Sequence, residues 1–211
     1  MSLIRFACSA MLVQCLALAS LDAAGAPAKP VPAFVVRLAE DAIARDPAAM
    51  KAPDHATAVG WFAEGFLFGF LNPDMSLPGF AGPGHEGSVA GQRARRTQPA
   101  QHDQVLRDYG YVQRDLTGRC TIGFEASRFT PALDRDASPI EKIDANWWVA
   151  EWPPIPGPPA ARGPSPRRAL DWPCRIVGWV SPPGGYGHMN MFSHQVLVIR
   201  FEDLAQAAAA R

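Results

Sequence analysis

The chain lacks the signatures by which the commonest enzymes declare themselves. No G-x-S-x-G elbow, H-E-x-x-H helix or phosphate loop ending in Lys-Ser/Thr occurs in its 211 residues, which removes the usual hydrolase, metalloprotease and nucleotide motifs. Net charge is lacking too: 20 Lys and Arg stand against 20 Asp and Glu, so no excess of one sign steers the chain toward nucleic acid or an anionic surface. Arg93, Arg95 and Arg96 form a local basic cluster, and beside a Gly/Pro-rich stretch such a run reads as a solvated face. Past the N-terminus no apolar run approaches the roughly 20 residues a membrane-spanning helix needs. Cysteine is scarce, with Cys8 and Cys15 near the start and only Cys120 and Cys174 beyond.

What is present begins with Arg5, an apolar run over 6–21, Asp22 and a string of alanines. That order is the layout of a secretory leader. The expectation is a signal peptide over residues 1–26, cut between Ser20 and Pro27, and a periplasmic or secreted mature protein. Processing removes Cys8 and Cys15. Cys120 and Cys174 then make an even pair in an oxidising compartment, and no second Cys or nearby His stands at metal-ligand spacing, so they are expected to form a disulfide. No cofactor and no membrane span after processing are expected.

The expected organisation is one β-rich domain over 27–204 with a tail at 205–211. Val35, Leu38, Ala39, Ala42 and Ile43 recur at helical spacing and Asp46-Pro47 stops them, which predicts an amphipathic helix over 33–45. Residues 56–71 are rich in aromatics but interrupted by Gly60, Gly65 and Gly69, which reads as two strands or one bent strand. A Gly/Pro loop is expected over 72–98, then a short helix over 102–109 ended by Gly110. Cys120, Ile122 and Phe124 alternate with polar neighbours, as a half-buried strand does. Ser138-Pro139-Ile140-Glu141 matches a capping box with proline at the first helical position. Residues 146–152 look extended, and prolines make 153–173 a connector. Finally, 175–180 and 196–201 flank a Pro/Gly turn and predict a hairpin, its second strand apolar on both faces and so central and doubly covered.

Within that hairpin, Ile176-Val177-Gly178, Gly187-His188-Met189 and Phe192 form a pattern that resembles the C-terminal hairpin of uncharacterised exported bacterial proteins. The resemblance implies a small barrel similar to the oligonucleotide-binding type and brings no activity with it. The fold class expected is therefore α+β and β-rich, a small antiparallel, partly closed OB-like barrel or sheet with one N-terminal helix and short accessory helices.

Candidate functional residues are few. His188 and His194 lie near the turn, and with His85 and Glu86 from the glycine-rich stretch they would be the ligands of a metal-dependent hydrolase. A catalytic zinc needs three protein ligands, and none of these spacings supplies a third. His188, next to Gly187, is read as bonding a turn carbonyl. Trp147, Trp148 and Trp152 cluster before the proline connector, where they serve either as core or as a stacking surface for a sugar or a Pro-rich peptide. The leading expectation is a non-catalytic domain that binds a small ligand or an envelope protein. A hydrolase with the His/Glu cluster and a periplasmic inhibitor or immunity-type protein are the alternatives.

Overall fold

The computed structural model describes residues 29–75, 81–122, 127–132, 147–151, 170–187 and 191–205. The described residues group into two compact units, one from Pro30 to Gly110 and one formed by Lys29 with those from Tyr111 on. The single domain expected over 27–204 spans residues of both units.

The first unit is helical. Helix α1 (Ala33–Arg45) buries Val35, Ala39 and Ala42, the face that the spacing marks. Helix α2 spans His55–Leu71, and this corrects the reading of 56–71 as strands. Asp54 caps it, accepting from the Thr57 amide at 2.8 Å and from the Thr57 hydroxyl at 2.8 Å, which satisfies donors that a helix start leaves open. Helix α3 covers Pro83–Thr97, so most of the loop expected over 72–98 is helix as well. Proline stands at its first turn, Glu86 at its N-terminal end and Arg95 and Arg96 in its last turn, each suited to the free amides and the dipole. A single 3-10 turn (Pro99–Gln101) leads into α4 (His102–Asp108), after which Gly110 takes a positive φ of 80°. That is the stop expected there.

Glycine explains both corrections. A Cβ on Gly65 would collide with the carbonyl oxygen of Gly84, one on Gly69 with that of Ser88, one on Gly87 with that of Phe62 and one on Gly91 with that of Phe66. Each pair is four residues apart on its own helix, so both helices present a flat stripe and their backbones touch along it. The touching positions advance together along both helices, so α2 and α3 run parallel. The return is held by Gln92, whose amide donates to the carbonyls of Asn72 at 3.1 Å and Met75 at 2.8 Å, and by Arg96, which bonds the carbonyl of Pro73. Helix α1 runs antiparallel to α2: Phe34 meets Phe66 at 5.6 Å near one end, and Glu40 meets His55 at 2.9 Å near the other. Tyr109 closes the unit, its buried hydroxyl donating to the Ala63 carbonyl at 2.9 Å. Burial, then the charge of Glu64, pushes that phenol far above its ordinary value, so it stays a donor.

The second unit is the expected small barrel. Strands β1 (Val112–Ile122), β2 (Arg128–Pro131), β3 (Trp147–Glu151), β4 (Leu170–Val180) and β5 (Gln195–Asp203) close in the order β1-β2-β3-β5-β4. Strands β3 and β5 pair in parallel and the other neighbours are antiparallel. Inward positions Cys120, Phe129, Val149, Cys174, Ile176, Val180, Val196 and Val198 form the core. The Cys120–Cys174 disulfide is present, with Cα atoms 5.9 Å apart.

The barrel is closed and mixed where an antiparallel, partly closed one was expected, because β3 meets β5 in parallel, and two further details differ. Strand β4 starts at Leu170, so the end of the proline connector is strand; Pro173 sits opposite Arg119 in the ladder with β1, and since pairing with β5 begins only at Cys174, on the β5 side there is no ladder for its missing donor to break. Strand β5 is central but not doubly covered. Ile199 is 52% exposed because a closed barrel turns one face of each strand outward. The capping box at 138–141 and the connector over 153–169 lie outside the described residues.

Outside the barrel, Asp115 pairs with Arg175 at 2.7 Å and Asp171 with Arg119 at 3.0 Å. The hydrogen bond from Arg175 holds the Asp115 carboxyl below its ordinary 3.8, as the Thr57 amide does for Asp54. Groups depressed in the folded state stabilise fully above their unfolded value, and that contribution disappears as pH falls through the folded one. The melting-temperature gap between wild type and Asp115→Asn is therefore expected at neutral pH and should close as the solution is acidified below the ordinary Asp value of 3.8 and through the depressed folded one. A gap independent of pH, measured by thermal scans across that range, would show that the substitution acts through something other than charge.

Candidate functional site

Strand alternation separates the two adjacent tryptophans. Trp147 points with Phe129 and Val149 toward the core, its ring 6.0 Å from Phe129 and 5.0 Å from His194. Trp148 takes the opposite face, with Arg128 across the strand pair and Gln195 on the other side. One tryptophan packs the barrel, and the other is left for its exterior.

The loop between β4 and β5 folds over Trp148. It continues the hairpin ladder: the Ser181 amide donates to Gln195, Gly184 to Ser193, and Tyr186 and Phe192 exchange bonds of 2.9 and 3.2 Å. Phe192 lies 5.3 Å from the Trp148 ring at 48°. Gly187 has a φ of +67°, and a Cβ there would stand 2.7 Å from Trp148 Cδ2 and 2.8 Å from Phe192 Cδ2. Only glycine lets the backbone take that turn while resting on the indole. At the tip Met191 is 73% exposed, and on the near side the Lys29 ammonium sits 4.6 Å above the Tyr186 ring, a cation–π distance. Together these give a half-buried aromatic surface edged by one exposed thioether and by the cations Lys29 and Arg128.

His194 anchors this loop. Its Nδ1 is 2.9 Å from the Ser181 carbonyl oxygen, and because that oxygen only accepts, Nδ1 is the donor of this bond. The Ser181 hydroxyl oxygen in turn accepts from the Gln195 amide at 2.8 Å, and the His194 carbonyl from the Trp148 amide at 2.8 Å. His194 therefore bonds a turn carbonyl, the kind of contact expected of His188. His188 and Trp152 lie outside the described residues.

His85 and Glu86 stand in the first turn of α3, in the helical unit, whereas His194 belongs to the barrel. Among the described residues no three His, Cys, Asp or Glu side chains gather in a metal-binding group. Cys120 and Cys174 are fully buried in the barrel core, where they serve structure. Sequence reasoning passed over Tyr186, Met191 and Arg128. Tyr186 and Phe192 stand symmetrically about the loop tip, and that is the signal from which they were readable. Among the described residues no helix is long and apolar enough to cross a membrane. The chain matches no protein-family model, no curated protein and no solved structure.

Proposed function

We propose that the protein is an exported, non-catalytic binding module whose ligand packs against Trp148 and Phe192. The observation that carries this reading is the aromatic surface itself. It is built where the loop between the last two strands overhangs β3, a region that barrels of this topology use for ligands. Export is supported by the leader layout and by a disulfide, which persists in oxidising compartments. Flat apolar faces with polar edges, such as sugar rings or prolines, are the chemistry that a tilted indole and phenyl pair accepts.

Titration of mature protein with oligosaccharides and with Pro-rich peptides, read by tryptophan fluorescence, tests the reading. A ligand that binds is expected to lose about 2 kcal/mol of affinity on Trp148→Ala, the scale of a central tryptophan contact. The melting temperature should fall as well, because Phe192 and the Gly187 backbone pack on this ring, so the affinities are compared at a temperature where the variant is folded. Equal affinity in the variant would remove Trp148 from the site, and stoichiometric metal bound to purified protein would turn the reading toward a hydrolase.

A further inference from the structure

The register of the barrel sets three chemically different side chains in one line. Arg128 of β2 is the cross-strand partner of Trp148 of β3, and Trp148 is in turn the partner of Gln195 of β5. Paired residues share a face of a sheet, and since Phe129, Val149 and Val196 point into the core, this line runs across the outside. Neighbouring strands stand about 4.8 Å apart, so cation, indole and amide follow one another at about 5 Å and span about 10 Å. The loop rests on Trp148 through Phe192 and Gly187. Along β3 from the indole, Ala150 is exposed and adds only a methyl group.

Both ends of the line have bonding capacity in hand. Elsewhere on the barrel exterior Arg119 is held by Asp171 and Arg175 by Asp115, each through two nitrogens. Arg128 is exposed, and among the described residues it meets no such carboxylate. Gln195 is half-buried and bonds Ser181 through its backbone, which leaves its side-chain amide to donate and accept at once. The line therefore asks for a ligand with an anion at one edge, a flat C–H face in the middle and hydroxyl groups at the other edge. A uronic acid ring carries all three: a carboxylate that matches the guanidinium fork, a face that covers an indole, and hydroxyls that exchange bonds with an amide. A proline ring has the face but nothing polar for Gln195, and in a nucleotide the sugar separates the stacking base from the phosphate.

We propose that Arg128, Trp148 and Gln195 bind an acidic saccharide, one uronate residue of an oligosaccharide, with its ring on Trp148, its carboxylate on Arg128 and its hydroxyls on Gln195. This rests on the reading of Trp148 as the contact residue and adds the charge and orientation of the ligand. Trimers of galacturonate and of mannuronate, each beside its methyl ester, are the probes, titrated into the full mature chain by calorimetry. At least one acid is expected to bind about tenfold more tightly than its ester, the scale of one charge-assisted contact. Arg128→Gln should bring that acid down to the affinity of the ester and leave the ester where it was, with melting unchanged because the side chain is exposed. Gln195→Ala should weaken acid and ester alike by about fivefold, as for a neutral hydrogen bond. Equal affinity for acid and ester, an Arg128→Gln variant that still prefers the acid, or binding of neither uronate would overturn the proposal. If neutral oligosaccharides, Pro-rich peptides or oligothymidylate bind in their place and lose affinity in Trp148→Ala, the acidic-saccharide assignment falls and Trp148 stands as the contact residue. A bound ligand that Trp148→Ala leaves untouched removes both.

Discussion

Gly65→Leu is expected to cost more than ~3 kcal/mol and to leave the helical unit largely unfolded, because the new side chain has nowhere to go. Even its Cβ would occupy the place of the Gly84 carbonyl, and that oxygen belongs to a neighbouring helix backbone, which no rotamer change can move. The two helices would have to part along the whole stripe, giving up the approach at Gly69, Gly87 and Gly91 together. Gly60 is the internal control. It lies in the same helix, and a Cβ there would meet nothing within 4 Å, so Gly60→Ala is expected to stabilise by about 0.5–1 kcal/mol through helix propensity and the unfolded chain. Urea unfolding followed by far-ultraviolet circular dichroism reads both. A Gly65→Leu variant that unfolds at the wild-type midpoint would mean that the helices are not packed backbone to backbone.

The same glycines show where sequence reasoning fails and why. Isolated, Gly60, Gly65 and Gly69 weaken a helix by about 1 kcal/mol each, which argues for strand or loop. What decides the segment is tertiary: a second stretch, Gly87 and Gly91, with the same spacing of four. Each glycine stripe is unfavourable alone, and together they allow a contact that no larger residue permits. The repeated four-residue spacing was readable as a helix face, but only once both segments were considered as partners. Proline added to the error, since Pro83 suggested a loop and instead begins α3.

The barrel was easier, because its information is local. Alternation around Cys120, the β-branched run Val196-Leu197-Val198-Ile199 and the Pro/Gly turn between them each imply a strand without reference to anything distant. Closure was not local: β3 and β5 pair in parallel across a long stretch of chain, and no periodicity announces that partner. The candidate site divides in the same way. That Trp147 and Trp148 mattered was visible from their clustering, and that they face opposite ways follows from strand geometry. Which of the two faces out required the register that puts Val149 and Phe129 inside. The loop rings on Trp148 needed the folded hairpin.

Replacing both Cys120 and Cys174 by alanine is expected to remove ~4 kcal/mol from the barrel, the loop-closure value for cysteines 54 residues apart. A domain whose whole stability is about 5–15 kcal/mol would feel this as a large drop in unfolding midpoint. The bond does not simply fasten down the proline-rich segment. Cys120 stands opposite Trp172, and Cys174 stands opposite Gly118, so the bridge runs diagonally between two strands already paired and lies wholly inside the barrel. Its neighbours are fitted to it: Gly118 has no side chain because the Phe129 ring lies 2.8 Å from where a Cβ would be, and Phe129 itself is fully buried. Alanine therefore also leaves space that the packed ring cannot easily fill, which adds to the entropic loss. Since both sulfurs are buried, reductant should find no target in the folded protein and should act only once urea opens the barrel. Urea curves of the wild type with and without reductant, beside those of the double variant, give the comparison. Reduced wild type and Cys120→Ala/Cys174→Ala are expected to unfold at similarly low urea, and midpoints equal to that of the oxidised protein would mean that the strand ladders alone hold the barrel.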